Sequence, residues 1–431
     1  MSNVKNDVGI RDTRIPTDNT ILNMTRKEIC KAVKDRLESK HIGCFEGETK
    51  PLLLISAEYP GVWLEHVYDS VFYAMMERSK LYLAENTIGL FISYQTPDGQ
   101  LPCKVLDGRY AKGSAPRVGY SQIQECVSFA KLCLLVYRMN GSRDFLKRAY
   151  ESSKRWVAWL RNNRMTLKRG LIEAFVGFDT GHDFSGRLEG LSCKGKYYVD
   201  GVEQSAAVLP EGDEVAPLIA VDMNCNYYGT LSALSKMAKE LGLADESKIW
   251  AEDQRAVKNK LFEVCLNKED CFFYDVDKNG RQRKYLSSTV FHLFMEGVLD
   301  KKEDCELISE LYRRHISNPD EFATPYPYPS MAVSDPSCRY RTEGNCWGYY
   351  SQGLIALRST LWMKNYGFDK DFDRLCNSWL EAWTKHFDYV KLGQELDPIS
   401  GIPTKCSEWY SSTMLFYLYA AEYGKKNLFL S

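Results

Sequence analysis

"SRDFLKRAYESSKRWVAWLRNNR", residues 142–164, decides how the chain is read. Ser142 offers a side-chain oxygen to the free N–H groups of a first helical turn. Phe145, Leu146, Ala149, Tyr150, Trp156, Val157 and Leu160 then recur at the spacing of one helix face. "NCNYYGTLSALSKMAKELGL", from residue 224, repeats the pattern through Tyr227, Leu231, Leu234, Ala238 and Leu241. It stops at Gly242, the residue type that accepts the left-handed turn after a helix. Ile249, Trp250, Val257 and Leu261 mark the next helix. Similar stretches near 25–38, 66–86, 120–139, 286–298, 301–316, 347–366, 371–390 and 408–424 bring the expectation to about eleven helices. The exception is "CFFYDVDKNGRQRKYLS", residues 271–287, which predicts a short hairpin across Asn279-Gly280. No fixed-period repeat is visible. The chain is therefore expected to be all-α, with paired helices and long loops at 187–218 and 318–345, either as a toroid or as a superhelical stack.

Composition narrows the partners. Lys+Arg number 56 against 57 Asp+Glu among 431 residues, and no basic block is long enough to neutralise a run of phosphates. No nucleic-acid partner is expected. Neither a stretch of about 18 apolar residues nor a signal-peptide core appears, so neither a membrane partner nor export is expected, and the expected location is cytoplasmic. The 14 cysteines are scattered singly, which predicts reduced thiols and no zinc site. No H-E-x-x-H, phosphate-binding loop or G-x-S-x-G elbow occurs, and no cofactor or metal is expected. The 9 Trp, 27 Tyr and 19 Phe suit a sugar cleft and a large core equally. Oligomeric state is not readable.

"FDTGHDFSGR", residues 178–187, carries the chemistry. Asp179 and Asp183 lie four apart, Gly181 and Gly186 permit unusual backbone angles, and Arg187 is a fixed cation. On residue types alone this is either a helix connection with aspartate caps or a loop presenting a protonated carboxyl to a leaving group. An inverting glycosidase needs a second carboxylate about 6.5–9.5 Å away to activate water, and it can come from distant sequence.

Six segments in order resemble the trehalases and glycoside hydrolase family 63. "VYDSVFYAMM" is similar to their W-D-S/T-x-F segment, with Tyr68 for the Trp, and "PDGQLPCKV" to their N-G-x-I/L-P turn. "YSQIQECVSF" resembles S-Q-P-P, with Ile123 and Gln124 for the prolines. "FDTGHDFSGR" resembles E-S-G-x-D-x-S-x-R, "VDMN" resembles V-D-L-N, and "QELDPISG" resembles E-x-Y/F-N/D-P-x-T/S-G. The likeness covers about residues 50–425, and in size the chain is similar to the compact mannosylglycerate hydrolase-like bacterial enzymes.

The resemblance implies an (α/α)6 barrel in residues 51–431, after an N-terminal extension and first helix in 1–50. It also implies hydrolysis of an α-linked sugar with inversion, on a small soluble carbohydrate such as a disaccharide or a mannosyl- or glucosylglycerate. Asp183 becomes the general acid. Asp179, His182 and Arg187 stand beside it, Trp63, Tyr68, Asp69, Gln100 and Gln122 line the sugar pocket, and Asp222 and Asn224 lie near its floor. The base position holds Gln394, which leaves Glu395, or Glu408 from the following loop, to serve. Trp347 stands where relatives carry an arginine. Alternatives on the same barrel are a sugar epimerase or uronide hydrolase, and a sugar-binding protein without the base.

Overall fold

The computed structural model describes residues 26–56, 60–108, 117–192, 198–199, 202–338, 347–386, 394–404 and 410–423. Twelve α-helices occur among the described residues: α1 (Arg26–Arg36), α2 (Val67–Met76), α3 (Leu81–Ser93), α4 (Phe129–Asn140), α5 (Arg143–Asn163), α6 (Val221–Leu241), α7 (Ala244–Val264), α8 (Phe291–Met295), α9 (Cys305–Leu311), α10 (Gly353–Ser359), α11 (Asp369–His386) and α12 (Ser411–Leu418).

Their packing closes a ring. α2 touches α4, α4 touches α6, α6 touches α8, α8 touches α10, α10 touches α12, and α12 returns to α2. These inner helices are buried on nearly all sides: every residue of α8, α10 and α12 is inaccessible. Such helices carry no polar stripe, because they have no solvent face. The outer layer is amphipathic. α3 packs on α2, α5 on α4 and α6, and α7 on α6. α7 buries only Val257 and Leu261, although it is 21 residues long. α1 packs on α12, as does α11, so the first helix joins the outer layer of the ring. This is the (α/α)6 barrel, and it removes the superhelical alternative.

Local signals explain the boundaries. Ser142 accepts from the Phe145 N–H at 3.2 Å, and Gly242 takes the left-handed conformation (φ +83°). The hairpin forms as expected, with Asp275–Val276 antiparallel to Gln282–Arg283 and Gly280 at φ +82°. The helix expected over 66–86 is instead two, because the chain turns through extended Glu77 (ψ 101°) to start α3, which packs on α2. The helix expected from 120 begins only at Phe129, since residues 122–126 are drawn into the site described below. Every cysteine among the described residues is a free thiol.

Candidate active site

The candidate residues gather at the N-terminal ends of the inner helices and in the loops that precede them. The α5–α6 connection holds Asp179 as its anchor. One of its oxygens accepts from the Ile123 N–H (2.9 Å) and the other from those of Phe175 (2.8 Å) and Val176 (3.1 Å). Arg164 donates to it at 2.6 Å and lies over the Phe175 ring. Both members of this ion pair are almost wholly inaccessible (1% and 0%). Asp179 is therefore bound into the wall that carries the loop. Asp179→Ala leaves Arg164 charged and buried, a type of loss that costs about 3–5 kcal/mol. Urea unfolding should show the midpoint falling accordingly, and an unchanged midpoint would contradict this role.

Beyond this anchor, Gly181 turns the loop at φ +70°. A Cβ there would collide with the Cys126 sulfur and lie 3.0 Å from Glu65 Oε2. The glycine lets the loop lie close over the start of α2, and Asp183 follows, half-buried. Arg187 fixes the far side. It donates to Asp222 and Asp275 at 2.6 Å each, and its Nη2 lies 3.2 Å from His182 Nδ1. Burial pushes the Asp222 carboxyl up, against the pull of Arg187. Asn224 is spent on the backbone of Ile172 and Ala220.

A single short segment joins the acid loop to the tail of the chain. The Trp347 N–H donates to the Asp183 carbonyl at 3.1 Å, and its indole stacks on His182 at 4.2 Å. Five residues on, strand Ser351–Gln352 pairs with Glu395–Leu396. Gln352 donates to one oxygen of Glu395 at 2.6 Å, the Thr404 hydroxyl donates to the other at 3.1 Å, and Glu395 is wholly buried. Five residues of backbone extend at most about 18 Å, which bounds the separation of the two attachment points. The Gln394 carbonyl accepts from the Gly353 N–H. Glu408 lies outside the described residues.

From α2, Asp69 receives the hydroxyls of Ser411 (2.5 Å) and Ser412 (2.8 Å) of α12. Burial pushes its carboxyl up to about 6, although these hydroxyls and Arg358 pull it down. Arg358, on α10, reaches to 3.9 Å from Glu65 and 5.9 Å from the Tyr68 ring. Gln100 donates to the Tyr120 carbonyl, Gln122 is buried, and Trp63 is half-buried beneath Lys104. Of the expected residues, His182 and Trp347 line the central hollow. That hollow is narrow, about 20 Å³, and is lined as well by Phe291, His292, Arg358 and Trp362. A second hollow, of about 10 Å³, shares Arg358 and reaches Tyr68 and Glu296. A largely apolar concavity with a few convergent polar groups is the usual form of a small-molecule site.

The sequence reading assigned no role to Arg358, His292, Asp275 or Glu65. The available signal was a lone charge or imidazole in an otherwise apolar helix, as in "GLIALRS" and "FHLFM".

Glu65 is shifted further than Asp69 or Asp222. Burial pushes it up to about 8; Arg358 pulls it down, and Asp183 and Asp69 push it up. Between about pH 4.5 and about 8 only the folded chain keeps this proton, so unfolding releases it and stability falls as pH rises. The thermal midpoint of the wild type should therefore drop more from about pH 5 to about pH 8 than that of Glu65→Gln. Parallel curves would contradict the assignment.

Superposition on solved structures gives the fold. A family 63 mannosylglycerate hydrolase from Thermus thermophilus in complex with glucose matches with a TM-score of 0.63 at 16% identity, over 90% of this chain and 99% of that one. The Thermus enzyme in complex with Tris and D-glycerate gives 0.65 at 16% identity, over 91% and 99%. The neutral trehalase of Saccharomyces cerevisiae gives 0.64 at 15% identity, over 93% of this chain and 80% of that one. At these identities the likeness establishes the fold, that of the helical-barrel glycosidases. Compared by sequence with curated proteins, the chain has no significant match. Residues 67–411 match the mannosylglycerate hydrolase MGH1-like glycoside hydrolase domain, and the chain belongs to that family of glycoside hydrolases. Among the described residues no helix is long and apolar enough to cross a membrane, and no cluster of His, Cys, Asp and Glu is arranged to hold a metal.

Proposed function

We propose that this glycoside hydrolase cleaves an α-linked sugar from a small soluble substrate with inversion, Asp183 acting as general acid and Glu395 as general base. The substrate is a disaccharide or a glycosylated small acid such as mannosyl- or glucosylglycerate, a choice supported by its likeness to a mannosylglycerate hydrolase seen with glucose and with D-glycerate and to a trehalase. The observation that carries the reading is the Trp347–Gln352 segment, which holds the Asp183 carbonyl at one end and the Glu395 carboxylate at the other.

The roles differ by environment. Asp183 stands half-buried on a loop with glycines on both sides, where a leaving group has access. Glu395 has one oxygen on an amide N–H and the other on a hydroxyl, hydrogen bonds that favour the ionised form a base needs and offset the burial that opposes it. Protonation of the glycosidic oxygen by one carboxyl, and activation of water on the opposite face by the other, completes a displacement with inversion. Tyr68, Asp69, His182, Arg187, Asp222 and Trp347 hold the sugar or shape its pocket in this reading, with Trp63, Gln100, Gln122 and Gln394 around them. Residues 51–431, with α1 packed on the ring, act as one catalytic unit, and the free buried thiols suit a cytoplasmic setting.

The test is a panel of mannosylglycerate, glucosylglycerate, trehalose and other α-linked disaccharides, with release of the free sugar as readout. Turnover of at least one member is expected. Binding of these compounds without release would instead support the non-catalytic alternative.

A further inference from the structure

Two imidazoles face the central hollow, and their wall partners fix their tautomers. His182, on the acid loop, and His292, in α8, have ring centres 6.4 Å apart, and both line the hollow. They are 3% and 6% exposed. Arg187 Nη2 lies 3.2 Å from His182 Nδ1. A guanidinium only donates, so that Nδ1 is the bare nitrogen and the proton of the neutral ring sits on Nε2. His292 Nδ1 lies 3.1 Å from Asn226 Oδ1. The Asn226 amide is oriented by its own nitrogen, which donates to the Glu125 carbonyl at 2.9 Å. Its oxygen must therefore accept from His292, and the His292 Nε2 is a bare lone pair. Neither Nε2 has a partner among the described residues. Burial, reinforced by Arg187 and Arg358, holds both rings well below their ordinary titration, so both stay neutral.

We propose that His182 Nε2–H and His292 Nε2 form a donor and acceptor pair that reads the hydroxyls on one edge of the bound sugar, making His292 a specificity-determining residue. This rests on the reading of the hollow as the sugar site. A hydroxyl both donates and accepts, so one hydroxyl or an adjacent pair satisfies both nitrogens. A carboxylate or phosphate could pair with Arg358 in the same lining, but it only accepts and would leave the His292 lone pair unsatisfied. An ammonium only donates and would meet the His182 N–H. Trp347, stacked on His182 with an 11° angle between planes, keeps the donor ring in place.

The experiment uses the full-length protein and calorimetric binding of D-mannose, D-glucose and their monodeoxy derivatives at pH 7. The wild type should bind one parent sugar and lose about tenfold or more on removal of one hydroxyl. His292→Phe should lose a similar factor for the parent sugar and no more for that deoxy sugar. Equal losses for both would overturn the proposal while leaving the site assignment standing. Binding of none of these sugars by the wild type would overturn both. If His292→Phe does not fold, nitrogen-15 NMR of the wild-type imidazoles decides. The proposal requires a protonated Nε2 on His182 and a bare one on His292, and the reverse at either ring overturns it.

Discussion

Asp183→Asn is expected to lower turnover of the natural substrate by about 10²–10⁴-fold, the usual worth of a positioned proton donor. The amide fills the same volume and leaves the backbone contact from the Trp347 N–H intact. Because the side chain is only half-buried, the unfolding midpoint should hardly move, since substitutions outside the core usually fall within about 0.5 kcal/mol. What is lost is the proton for the departing oxygen. An α-glycosyl fluoride needs no such proton, because fluoride leaves as a stable anion. The variant should therefore hydrolyse the fluoride at close to the wild-type rate while failing on the natural glycoside. Loss of both activities together would point to damaged binding instead of missing acid catalysis.

The second large effect belongs to Glu395→Gln. This carboxylate accepts from Gln352 on one oxygen and Thr404 on the other. A glutamine can keep both contacts by turning its oxygen to Gln352 and its NH₂ to the Thr404 hydroxyl, which also accepts. Folding is thus preserved while the ability to take a proton from water is gone. Turnover should fall about 10²–10⁴-fold on natural glycoside and fluoride alike, because both need the activated water. That shared loss separates the base from the acid. Near-normal activity would remove Glu395 from the mechanism and leave Glu408 as the remaining candidate of the two.

The legible parts of this chain were those where a local requirement has a local answer. α5 announced itself through Ser142 and a one-sided apolar face, and the hairpin through Asn279-Gly280. The closing of the ring was legible only through the family resemblance, because α8, α10 and α12 are short and buried on every side, leaving no period to read. The break between α2 and α3 has neither glycine nor proline, so a single helix over 66–86 was the natural expectation. In the site, the spacing of Asp179, Gly181, Asp183 and Arg187 could be recognised as a functional loop, since all four lie in ten residues. His292, Arg358 and Glu65 could not be joined to it, because their meaning comes from what stands opposite them: Asn226, the Tyr68 ring and the acid loop. Asn224 and Asp179 show the reverse limit. Their polar groups are consumed by backbone partners that no sequence pattern announces.

The most direct test of the account follows the anomer first released by the wild-type enzyme from its α-linked substrate, by proton NMR before mutarotation intervenes. Two carboxyls acting from opposite faces of the sugar give the β-anomer first. Appearance of the α-anomer first would mean a covalent intermediate with a nucleophile close to the acid, and would contradict the pairing of Asp183 with Glu395.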